Sequence, residues 1–100
     1  MREAVFRALA DPTRCRIIEL LARRDLTAGQ IAEEFPMAFA SVSHHLRTLR
    51  AAGLAATRRD GRHVHYRLEV AGFEAAMGFL LDTMARVGMR GSRVADLADR

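Results

Sequence analysis

The sequence predicts a mainly α domain with a β-hairpin wing: a winged helix-turn-helix with helical dimerisation elements at both ends. Three observations predict it. Apolar residues recur at spacings of three and four in short blocks, with Pro, Gly or Asp between them about every ten to fifteen residues, which suits short packed helices. A two-residue Asp60-Gly61 signal separates two strand-like runs. Charge is also concentrated: residues 41–67 hold six of the sixteen basic residues and one of the twelve acids, a net +5 in a chain whose total is +4.

The first helix is predicted over about Arg2 to Ala10, with Val5, Phe6 and Leu9 as its apolar stripe. Asp11-Pro12 closes it, because Asp11 can N-cap a second helix and Pro12 suits the first helical position. That second helix runs to about Arg23 and offers Ile17, Ile18, Leu20 and Leu21 to a core. Thr27 and Gln30 have the spacing of a capping box, and Leu26 and Ile31 that of its hydrophobic staple, so a short third helix starts there and ends near Phe35-Pro36. A fourth helix, about Phe39 to Ala52, buries Val42, Leu46 and Leu49, and Gly53 ends it.

Ala55 to Arg59 and Arg62 to Leu68 then flank the Asp60-Gly61 turn, with Val64, Tyr66 and Leu68 facing inward. The last helix, about Ala71 to Val87, carries Phe73, Met77, Leu80, Met84 and Val87 at 4-3-4-3 spacing. Such a stripe exceeds what one small core can cover, so it predicts pairing with a second chain. Domain organisation follows: residues 1–87 form the DNA-binding and dimerisation domain, and 88–100 a tail expected to fray.

Composition narrows the function classes. One hundred residues make one domain. No apolar run approaches the roughly 18 residues that span a bilayer, and the start lacks a signal-peptide core, so a cytoplasmic location is expected. A single cysteine excludes an internal disulfide. All the basic side chains are Arg, so where the charge clusters says more than which residue carries it.

The charged segment carries the chemistry. On the fourth helix Ala40, Ser43, His44, Arg47 and Arg50 lie opposite the apolar stripe, with Ser41 beside them. Ser43 and His44 are short enough for base edges, Arg47 can fork onto guanine O6 and N7, and Arg50 one turn on meets phosphate. Arg58, Arg59 and Arg62 surround the hairpin tip and suit flanking phosphates. His45 borders the apolar stripe, the position of a half-buried, hydrogen-bonded residue that fixes the helix angle. The expected partner is double-stranded DNA.

Ala10-Asp11-Pro12-Thr13-Arg14, Gln30-Ile31-Ala32, Val42-Ser43-His44-His45-Leu46, Leu49-Arg50-Ala51-Ala52-Gly53-Leu54 and Gly61-Arg62-His63-Val64-His65-Tyr66-Arg67-Leu68 together resemble the ArsR-type winged-helix repressors over roughly residues 3 to 87. The resemblance implies a homodimer joined through the first and last helices, bound to an imperfect palindrome and blocking transcription. Val5, Phe6, Leu9, Phe73, Met77, Leu80 and Met84 would form its interface. Thr27-Ala28-Gly29-Gln30-Ile31-Ala32 is similar to the branch of small autorepressors, some of which are relieved by a membrane or other protein partner.

Two departures stand out. Metal-sensing members carry a cysteine cluster on the third helix or an Asp/His/Glu set on the last; neither is present, so no metal or other cofactor is expected. Ala38 stands where an N-cap is usual, which costs about 1 kcal/mol, and Phe39 replaces a polar or basic residue. Alternatives remain: His63 and His65 on one strand face, or Cys15 between Arg14 and Arg16, as a metal or oxidant sensor, or a winged-helix module that binds protein. Ser43-His44 has no orienting acid and points to no catalysis.

Overall fold

The computed structural model describes residues 1–90. Helix α1 (Arg2–Leu9) and helix α2 (Pro12–Arg23) are separated at Asp11, whose backbone is extended. Its Oδ2 accepts the Arg14 N–H at 3.0 Å, and Pro12 follows at the start of α2, where a missing N–H costs nothing.

Strand β1 (Leu26–Thr27) runs directly into helix α3 (Ala28–Ala32). Both halves of the capping box form: Gln30 N–H donates to Thr27 Oγ1 at 3.1 Å, and Thr27 N–H to Gln30 Oε1 at 2.9 Å. Helix α3 is shorter than the sequence predicts. Glu34 N–H donates to Ile31 O and Phe35 N–H to Ala32 O, so the chain tightens into three-residue turns well before Pro36.

Helix α4 (Phe39–Ala51) buries Val42, Leu46 and Leu49 completely. Its end is a Schellman motif: Gly53 adopts φ +75°, its N–H donates to Arg50 O, and Leu54 N–H reaches Leu49 O, with both leucines buried. Strands β2 (Ala55–Asp60) and β3 (His63–Leu68) form the wing, and the sheet order is β1-β3-β2, all antiparallel.

The hairpin register corrects the sequence reading by one residue. Asp60 pairs with His63, so the two loop residues are Gly61 and Arg62, not Asp60 and Gly61. Gly61 has φ +62° and Arg62 does not have positive φ, the pattern of a turn with glycine first. Arg59 therefore lies opposite Val64 on the face of Tyr66, while Arg58 lies opposite His65 on the other.

Helix α5 (Val70–Met89) starts one residue earlier than predicted, because Glu69 is its N-cap and accepts the Ala71 N–H at 3.4 Å. It ends two residues beyond 87; the rest of the expected tail, from 91, lies outside the described residues. The root of α5 is bonded to the end of α4. Gly72 N–H donates to Gly53 O at 2.8 Å, and Glu69 N–H to Leu54 O at 2.9 Å. A Cβ on Gly72 would lie 2.7 Å from Gly53 O, so only glycine fits.

The core gathers Ile17, Leu20, Leu21, Leu26, Ile31, Leu46 and Leu54 from most of these elements. Each such side chain contributes roughly 1.5 to 3 kcal/mol on burial. Val5 belongs here too. At 0% exposure it packs inside its own chain, which corrects its assignment to a dimer interface.

Candidate nucleic-acid interface

Helix α4 is held by one face and leaves the other in solvent. Val42, Leu46 and Leu49 anchor it, so Ala40, Ser41, His44, Arg47 and Arg50 are exposed and Ser43 is half-buried. The exposed and half-buried side chains around this face fall into two rows. Phe39, Ser43, Arg47 and Arg50 follow at spacings of four, four and three; Ser41, His44 and Thr48 form the second row. Thr48 Oγ–H is turned back onto His44 O at 3.1 Å, which leaves Ser41 and His44 as the polar groups presented outward there.

The first row borders the wing. Arg47, Arg50 and Ala51 line an open groove whose other wall is Ala55, Ala56 and Thr57 at the base of β2. Farther along the wing Arg58, Arg59 and Arg62 are exposed. Among the described residues none of Arg47, Arg50, Arg58, Arg59 and Arg62 has a carboxylate within salt-bridge distance, whereas Arg67 is 3.8 Å from Glu69. Five guanidinium groups thus stand with their charge uncompensated on α4 and the wing, an arrangement suited to a polyanion. The structure gathers Arg47 and Arg50 beside the wing base, with Ser43 one turn before Arg47 in the same row, and sets Ser41 and His44 in the other row.

The angle of α4 is set by His45, as the sequence suggested, together with Arg14 from α2. Arg14 Nε donates to Ala8 O at 2.8 Å and Nη2 to Arg7 O at 3.2 Å, which caps the end of α1. Its Nη1 lies 3.1 Å from His45 Nδ1. A guanidinium only donates, so Nδ1 accepts and the ring carries its proton on Nε2. Asp11 Oδ2 is 3.9 Å from the same Nδ1. The Arg14 N–H, with the nearby Arg14 guanidinium, holds the Asp11 carboxyl below its ordinary value. His45 is thus the half-buried, bonded residue that the sequence suggested; Arg14 was legible only as part of a motif.

The candidate sensor residues are placed differently. Cys15 Sγ is 3.1 Å from Leu9 O, its thiol donating at the end of α1. His65 Nε2 is 4.0 Å from Asp60 Oδ2 on the outer face of the wing, and no third metal-binding side chain joins them among the described residues. Structural zinc asks for four ligands.

Residues 11–57 match the family described as bacterial regulatory protein, arsR family. The transcriptional repressor SdpR of Bacillus subtilis is 38% identical over 78 residues, 78% of this chain and 87% of that protein. The chain belongs to the arsR family. The HTH-type transcriptional regulator CmtR of Mycobacterium tuberculosis H37Rv is 37% identical over 102 residues, covering 98% of this chain and 86% of that one. An ArsR-like transcriptional regulator from Rhodococcus sp. RHA1 superposes with a TM-score of 0.82 at 30% identity, over 97% of this chain and 89% of the other. This arsR-family chain is a DNA-binding transcriptional repressor with a winged helix-turn-helix fold, and not an enzyme. No helix among its described residues is long and apolar enough to cross a membrane.

Proposed function

We propose that the protein acts in the cytoplasm as a homodimer, joined through α1 and α5, that represses by binding an imperfect palindrome. In this reading α4 of each protomer enters the major groove, where Ser43, His44 and Arg47 meet base edges with Ser41 at their side. Arg50, Arg58, Arg59 and Arg62 neutralise phosphates on both sides of the groove. The observation that carries the reading is the uncompensated arginine set spread from α4 across the wing.

Support for the dimer comes from α5. Leu9, Val70, Phe73, Ala76, Met77 and Leu80 line an almost wholly apolar groove with Glu74 at its rim. Met77, Leu80 and Met84 remain 57%, 47% and 46% exposed. Phe6 packs edge-on against Phe79, ring centroids 5.8 Å apart, and Arg2 lies 4.5 Å over the Phe79 ring, contacts that hold α1 against α5 within the chain, on a different face of α5 from the stripe. Relief of repression by a membrane or other protein partner belongs to the same proposal and rests on the resemblance of residues 27–32 to small autorepressors.

Selection of random duplexes on the protein, followed by affinity measurements on the enriched duplex, tests the reading. A palindromic site with Arg47→Ala losing about 1 to 3 kcal/mol at one base pair supports it. Equal binding of selected and random DNA overturns it.

A further inference from the structure

Phe39 opens the recognition helix and is 56% exposed. Its ring lies outside both the buried core and the half-buried residues packed against that core, and it stacks on no other aromatic among the described residues. Its neighbours are small: Ala38 caps the helix without a side-chain bond, and Ala40 and Ser41 follow. A large apolar face therefore stands alone at the tip of a helix whose other exposed groups are alanine methyls or polar and cationic side chains. It also heads the row Phe39, Ser43, Arg47, Arg50, continuous with the basic surface.

We infer that Phe39 reads a thymine, packing its ring against the C5-methyl group in the major groove. The inference rests on the proposed docking of α4. Among major-groove base edges only thymine offers an apolar group, and N-terminal residues of a recognition helix are the ones that meet base edges. An aromatic ring gains nothing from phosphate or from the guanine and adenine acceptors, whereas a methyl completes the burial of its face. Phe39 thus sets a base preference at one end of the half-site, and Arg47 sets another about two turns along the helix.

The test uses the duplex selected on the wild-type protein, with each thymine replaced in turn by deoxyuridine, which removes only the methyl. Wild type should lose about four-fold in affinity per half-site at one thymine position, the worth of one buried methyl. Phe39→Ala should bind the unmodified duplex more weakly and show no further loss at that position, while Phe39→Leu keeps part of the penalty and Arg47→Ala keeps all of it. The inference is overturned if Phe39→Ala retains the wild-type penalties or if no thymine is methyl-sensitive. It is equally overturned if Phe39→Ala alters only the oligomeric state, which assigns the ring to a protein contact. A selection that enriches no duplex removes the docking itself, a separate result that takes this inference with it.

Discussion

The Arg14 guanidinium donates to His45 Nδ1 across 3.1 Å while its other nitrogens cap the last carbonyls of α1. One side chain therefore ties the end of α1, the start of α2 and the middle of α4. Arg14→Ala leaves the Ala8 carbonyl and an imidazole nitrogen without their donor, and Arg7 O with only the Ala10 N–H, and should cost about 1 to 3 kcal/mol in urea unfolding. Arg14→Lys recovers only part, because an ammonium cannot reproduce the planar fork. A double-mutant cycle with His45→Ala should show coupling above about 0.5 kcal/mol, and additivity within error would refute the tie.

Asp11 should set part of the acid limb of stability. Its folded pKa is lowered from 3.8, chiefly by the Arg14 N–H, so its contribution is complete above 3.8 and is lost as pH falls through the lower folded value. Thermal unfolding should show wild type well above Asp11→Ala at pH 6 and the gap closing below about pH 4. Asp11→Asn, which keeps an acceptor but does not titrate, should hold its cap bond through that window.

The wing should contribute affinity without sequence. Arg59→Ala or Arg62→Ala should weaken binding to selected and random duplexes alike, and losing one phosphate contact in each protomer of the dimer should flatten the log–log salt slope by about 1.8. Anisotropy titrations at several salt concentrations read both effects. Arg58 and Arg59 face opposite sides of the ribbon, so replacing each with Ala should weaken binding unequally. An effect confined to the selected duplex would contradict the phosphate assignment.

Leu80→Arg places a charge in the apolar groove of α5, where the wild-type side chain is half exposed and not part of the core. The variant should keep its helix content, scatter light as a monomer at micromolar concentration and bind the operator more weakly because bivalency is gone. A monomeric wild type, or a dimeric Leu80→Arg, would move the interface elsewhere.

Elements set by near neighbours in the chain were legible in the sequence. The Thr27–Gln30 capping box, the Asp11-Pro12 break and the Gly53 terminus each depend on residues within five positions, and all three formed. What needed distant partners was not legible. Strand β1 is two residues long and exists because Leu26 meets Tyr66, forty positions away. The wing register turned on whether Asp60 would pair with His63 or enter the loop, a choice between two glycine-containing turns that composition leaves open. Val5 and Phe6 share one apolar stripe, yet only the packing of α1 shows that Val5 is used inside the chain while Phe6 reaches Phe79. At the candidate site, exposure and helix spacing recovered the arginines and His45, but the Arg14 that holds His45 came from another helix.

The bond between Gly53 and Gly72 makes α5 a lever fixed at its root. The helix has 20 residues and is about 30 Å long. A tilt of about 5° moves its far end by roughly 2.6 Å over that length, and because the joint is backbone on backbone it has no side chain to absorb the motion. The root of α5 and the last turn of α4 are therefore placed as one unit, so whatever fixes the far end of α5 also bears on how the two helices sit together.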